Sequence, residues 1–167
     1  MNPPRRLAAI SIVVLVFALV LRLAGLDKSL WMDEVGSYVL ATAPDFIASA
    51  RNDIHPPLYY GLLRLGIQVT SSVPALRLLS VLCGLLTVGI FLRLRPPIAA
   101  VLAATLVACS PELISNSQEL RQYALLNLLL AGALMATLHL LDHPDSKKAR
   151  RWLLATSVLA ASTHLLS

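Results

Sequence analysis

Five long apolar runs, separated by short polar and charged clusters, dominate the chain: 7–26, 76–92, 98–114, 122–141 and 152–167. Stretches 122–141 and 152–167 contain no Asp, Glu, Lys or Arg at all. At about 1.5 Å per residue the first run alone makes a helix of about 30 Å, enough to cross the hydrocarbon core of a bilayer. The pattern predicts an all-α integral membrane protein with five transmembrane helices. Between the first two runs the polarity is mixed. Val35 to Thr42 and Asp45 to Arg51 predict two short helices separated by Pro44, with Asp45 capping the second. Leu58 to Thr70 is apolar on one side but would reach only about 20 Å, with Arg64 at mid-span. It is predicted as an amphipathic helix lying in the outer interface.

Charge placement supports that topology, because Lys and Arg in short loops favour the cytoplasmic side. With five spans and a cytoplasmic amino end, Arg5, Arg6, Arg93, Arg95, Lys147, Lys148, Arg150 and Arg151 face inward, against Lys28, Arg51, Arg64 and Arg121 outside. A crossing by 58–70 would invert everything after it and reverse the preference. The same topology puts seven acids outside: Asp27, Asp33, Glu34, Asp45, Asp53, Glu112 and Glu119. The outer loops 27–75 and 115–121 therefore hold the polar chemistry, in an expected plasma (inner) membrane setting with the site on the extracytoplasmic face.

Composition changes the picture little. Hydrophobic residues make up 57% and charged residues 14%, against roughly 45–50% and 25% in soluble domains. The net charge of +5 is not a basic stripe on a folded face, so nucleic acid is excluded as a partner. Cys83 and Cys109 lie within apolar runs, where a thiol behaves as a small hydrophobe. The first run is too long for a secretory signal core and is read as an uncleaved anchor. The fifth run stops at its minimum spanning length, so the chain is read as the front part of a longer protein.

Three outer stretches carry candidate chemistry. In Leu30-Trp31-Met32-Asp33-Glu34 two adjacent carboxylates follow a tryptophan, although acids also suit the first turn of a helix. In Asn52-Asp53-Ile54-His55-Pro56-Pro57-Leu58-Tyr59-Tyr60 a carboxylate and an imidazole precede two rigid prolines, although Asp53 also suits a cap and His55 a backbone hydrogen bond. A divalent metal is left open, with Glu119 and His55 as weak candidates, because no further ligands can be identified. In Ser117-Gln118-Glu119-Leu120-Arg121-Gln122-Tyr123, Arg121 enters an uncharged span, which is expensive unless it is paired. Its planar guanidinium suits a phosphate or carboxylate near the membrane surface. Arg22 and Arg77, near the outer ends of spans, are read as snorkelling.

These motifs, with Gly25-Leu26-Asp27 before them and Ala124 after, resemble the opening of GT-C type glycosyltransferases. The closest group looks like the protein O-mannosyltransferases and lipid A aminoarabinose transferases, which take sugar from a polyprenyl-phosphate carrier. The resemblance runs from about residue 5 to the end and makes the chain the N-terminal transmembrane portion of such a catalytic module. It implies that Asp33 is the catalytic base with Glu34 beside it. It further implies that Glu119 and Arg121 lie near the donor phosphate, and that Asp53 and His55 match the family's His-Pro-Pro segment. Tyr59 and Tyr123 join the expected substrate-binding set.

The chemistry fits on its own terms. A lipid phosphate is already a good leaving group, so what remains is to deprotonate an acceptor hydroxyl, a task worth ~10²–10⁴-fold for a placed carboxylate. Attack opposite the phosphate inverts the anomeric centre, and Arg121 would stabilise the growing phosphate charge. The acceptor is unknown. The missing later spans of the family predict that this chain alone is inactive. The alternative is a non-enzymatic multi-span scaffold or transporter fragment. An enzyme requires Asp33 and Arg121 to line one outer cleft; wide separation favours the scaffold.

Overall fold

The computed structural model describes residues 3–53 and 55–164, so Ile54 of the His-Pro-Pro motif and the last three positions of the fifth apolar run lie outside the described residues. Among the described residues all regular structure is helical: α1 (Pro3–Leu23), α2 (Met32–Thr42), α3 (Phe46–Arg51), α4 (Leu58–Val69), α5 (Val73–Phe91), α6 (Pro97–Cys109), α7 (Pro111–Ser117), α8 (Tyr123–Asp142) and α9 (Lys147–Ala161). Three of these, α1, α5 and α8, are long and apolar enough to cross a membrane, and the bent pair α6 and α7 makes a fourth if counted as one span.

Small residues set the helix spacing. Ala18 of α1 and Ala104 and Ala108 of α6 are fully buried around Val14 and Val88, which lets backbones approach closely where lipid removes the hydrophobic drive between helices. The opposite faces carry exposed Ile12, Val13 and Val16 on α1 and Leu102 and Leu106 on α6, the composition of a surface solvated by acyl chains. In the α8–α9 hairpin, a Cβ added to Gly132 would lie 3.2 Å from Thr156 Cγ2. The two helices run antiparallel, so the end of α9 returns to the start of α8, with the His164 and Tyr123 rings 5.9 Å apart.

The run 98–114 is not one helix. It breaks at Ser110 with a bend of 64° between α6 and α7. Pro111 is the physical reason: it has no N–H to continue α6 and disfavours helical backbone in the residue before it, yet it suits the first position of a new helix. Ser110 Oγ accepts from Leu113 N at 3.5 Å and starts α7. The break leaves carbonyls at the end of α6 without intrahelical partners. Arg22 fills that need from α1, donating to Ala108 O and Val107 O at 3.3 Å each. Gln118, just after α7, answers for α1 by donating to Leu21 O at 2.8 Å and Ala24 O at 2.6 Å.

Arg22 and Arg77 are 0% and 1% exposed, so neither snorkels. Each is turned inward onto backbone acceptors that a lipid-facing side chain would leave unpaired. The segment 27–75 follows the sequence reading more closely. Asp45 Oδ1 accepts from Ala48 N at 3.1 Å and caps α3. The amphipathic α4 buries Tyr59, Tyr60 and Leu63 against Leu40, Ala41, Leu76 and Leu120. Arg64 lies on its flank and donates to Ala41 O and Ala43 O at 2.9 Å each, closing the carbonyl end of α2. Its guanidinium also covers the Phe46 ring at 5.3 Å. The cation that argues against a span in 58–70 is thus what staples α4 to the two helices before it.

Candidate active-site cleft

The first turn of α2 points its two acids in different directions. Successive residues on a helix are about 100° apart, so Glu34 turns into the protein while Asp33 faces outward. Glu34 is 1% exposed and meets Arg77 of α5 in a bidentate pair, Nε to Oε1 at 2.9 Å and Nη2 to Oε2 at 2.7 Å. Its Oε1 also accepts from Leu120 N at 2.7 Å, and Oε2 from Trp31 N at 3.4 Å. Arg77 Nη1 donates further to Leu26 O at 2.7 Å and Lys28 O at 2.6 Å. One buried ion pair thereby ties the stretch after α1, the start of α2, the first turns of α5 and the 118–122 turn together. Every Glu34 oxygen is committed, which leaves it a positional role.

Asp33 remains half exposed and pairs with Arg121, Oδ2 to Nη1 at 2.5 Å. Arg121 is held on three sides. Its Nη2 donates to Tyr123 Oη at 2.9 Å, and its guanidinium stands 5.0 Å from the Tyr123 ring centroid and 5.8 Å from that of Trp31. Burial works against the charge, but the phenol of Tyr123 and the carboxylate of Asp33 outweigh it and hold the pKa above its ordinary value. Arg121 Nε is buried with no partner among the described residues, so this cation keeps donor capacity in reserve.

Asp33 and Arg121 line one cleft of about 510 Å³, shared with Asp53, His55 and Tyr60 over an apolar floor that includes Val39 and Leu40. That size is ordinary for a small-molecule site. The His-Pro-Pro turn forms one wall. Asp53 Oδ1 accepts from His55 N at 2.8 Å and, at 3.5 Å, from Tyr60 Oη. Burial first, then the carboxylate of Asp53, pushes the Tyr60 phenol up to about 12, so it stays a donor at neutral pH. The His55 pKa falls below its ordinary value, chiefly through burial, then through the neighbouring His164; Arg121 pushes the same way, while Asp53 and Asp33 oppose it.

The remaining expected residues divide. Tyr123 reaches the cleft only through Arg121. Glu119 is not among the residues lining it: its carboxylate accepts from Ser115 Oγ at 2.8 Å, and its carbonyl accepts from Ser80 Oγ at 2.7 Å. Tyr59 is 2% exposed within the core, and Tyr60 takes the position at the cleft. One residue of α4 decides which ring faces the cleft. Among the described residues no three His, Cys, Asp or Glu side chains gather to hold a metal, and of His55 and Glu119 only His55 lines the cleft.

The sequence reading assigned to the site neither Arg77, which it read as snorkelling, nor His164. Arg77 has the signal of a buried charge in an apolar run, which demands an opposite charge elsewhere. His164, at the end of α9, stacks its ring 5.1 Å from that of His55, and Ser162 O accepts from Leu58 N at 3.2 Å. No protein family, curated protein or solved structure matches this chain.

Proposed function

We propose that the chain forms the extracytoplasmic-facing catalytic part of a plasma-membrane glycosyltransferase of the GT-C type, with five spans and a cytoplasmic amino end. It moves a sugar from a polyprenyl-phosphate carrier to an acceptor hydroxyl. The observation that carries this reading is the Asp33–Arg121 pair, one base and one buried cation at 2.5 Å on the wall of a single cleft. The antiparallel return of α9 to the level of Tyr123 supports a fifth crossing, and the apolar spans below give a polyprenyl tail a place to stay.

Donor phosphate entering the cleft competes with Asp33 for Arg121, whose unpartnered Nε and forked Nη groups suit a phosphate. The carboxylate is released as the phosphate is gripped. Asp33 then takes the proton from the acceptor hydroxyl, the acceptor oxygen bonds to the anomeric carbon, and the sugar–phosphate bond breaks with its electron pair left on the phosphate. Arg121 stabilises that charge, and with no covalent sugar–enzyme intermediate the anomeric centre is inverted.

The closed ion pair also favours a second reading, a scaffold in which Asp33 and Arg121 only hold α2 to the 118–122 turn. Assay of the complete gene product in membranes, with a panel of polyprenyl-phosphate sugars, separates the two. Asp33→Asn is expected to lose ~10²–10⁴-fold in turnover while still expressing and folding. Full turnover in the variant removes Asp33 as the base.

A further inference from the structure

At the opposite end of the bundle, the ends of α5, α8 and α9 enclose a groove that the proposed reaction does not use. Its volume is about 490 Å³, with Ile90, Met135 and Trp152 on its walls and Arg93 and Lys148 at its rim. A neighbouring hollow of about 530 Å³ shares Lys148 and Trp152 and adds Lys147 and Arg151. Six basic residues, Arg93, Arg95, Lys147, Lys148, Arg150 and Arg151, outnumber two acids, Asp142 and Asp145, around the turn after α5 and the α8–α9 connection. Among the described residues the only ion pair here is Arg150 with Asp145, at 3.7 Å and exposed.

The placement of these cations is electrostatically adverse. Lys147, Lys148, Arg150 and Arg151 crowd the start of α9, whose first turn holds no acid. A helix N-terminus favours negative charge, and positive charge there opposes the macrodipole. An anion seated among the side chains would reverse the balance, since the dipole and the four cations would then act on it in the same sense. The apolar wall identifies what carries the anion. A free phosphate would satisfy the rim and leave the wall wet, whereas a zwitterionic lipid would cover the wall and leave the excess charge.

We propose that this groove binds an anionic phospholipid of the adjoining leaflet, its headgroup held by Arg93 and Lys148 and its acyl chains lying along Ile90, Met135 and Trp152. Trp152 suits this level, where an indole is half apolar and half wet. The lipid bridges α5 to α9 and so clamps the helical hairpin whose other end reaches the cleft. The inference rests on membrane embedding alone and stands or falls separately from the transferase reading.

The test is native mass spectrometry of the purified chain after exchange into vesicles of phosphatidylcholine alone or of phosphatidylcholine and phosphatidylglycerol in equal parts. Retained phosphatidylglycerol is expected to exceed phosphatidylcholine. In the double variant Arg93→Gln/Lys148→Gln that excess is expected to fall by about 25-fold, at roughly five-fold for each charge near the surface. Lys28→Gln, which removes a positive charge at the other end, is expected to leave it intact. Equal retention of the two lipids by wild type overturns the proposal even if the double variant fails to fold. So does displacement of the lipid by inorganic phosphate, which would assign the site to a free anion.

Discussion

At the scale of single residues, Asp33 and Glu34 are adjacent, share one charge and occupy opposite environments, so their substitutions should fail in different ways. Glu34→Gln leaves the Arg77 guanidinium buried opposite a neutral amide. Removing one partner of a buried pair costs about 3–5 kcal/mol, and the expected outcome is a lowered melting temperature in detergent, with a smaller drop for Asp33→Asn, whose carboxylate is half exposed. His55 gives a pH signature with a definite sign. Its folded pKa lies below the ordinary value through burial and the proximity of His164, so the unfolded chain takes up the proton first. The stability contributed by neutral His55 is fully present above about pH 6.5 and is lost as pH falls below it. Melting curves between about pH 7.5 and about pH 5 should show a larger loss for wild type than for His55→Asn. The pairings themselves were not legible in sequence. Glu34 and Arg77 lie 43 positions apart, and a single arginine near the end of an apolar run reads equally well as snorkelling until its partner is known.

At the scale of elements, the periodicity of 35–42 and 58–70 and the Pro44-Asp45 signal were sufficient to place α2, α3 and α4, because caps and amphipathic faces are written locally. The break between α6 and α7 was hidden, since the run 98–114 stays apolar across Pro111 and apolarity dominates the reading. Tyr59 and Tyr60 were indistinguishable for a related reason: neighbouring rings differ only by the rotational phase of α4, which packing sets. The tight crossing of α5 with α7 supplies a direct check. A Cβ on Gly84 would overlap Ser117 Oγ and come within 2.8 Å of Arg22 Nε, whereas Gly89 has nothing within 4 Å. Gly84→Ala should destabilise by about 1–3 kcal/mol through overpacking. Gly89→Ala should be neutral to slightly stabilising, both read by thermal unfolding in detergent.

At the scale of the whole molecule, apolar runs and basic loops were enough to anticipate a helical membrane protein. The proposed five-span topology predicts its own labelling pattern. In a background lacking Cys83 and Cys109, cysteines placed at Asp45 and Ser115 should react with an impermeant maleimide from the outside of intact cells, and those at Arg95 and Asp145 only after permeabilisation. Reaction of both sets from one side rules that topology out. The return of α9 to the cleft also bears on how the protein is made. Leu58 N–H waits for an acceptor synthesised about a hundred residues later, at Ser162, and the His55 ring is uncovered until His164 arrives. A nascent chain halted before α9 is made would leave that wall unfinished. Completion of this wall therefore follows synthesis of α9.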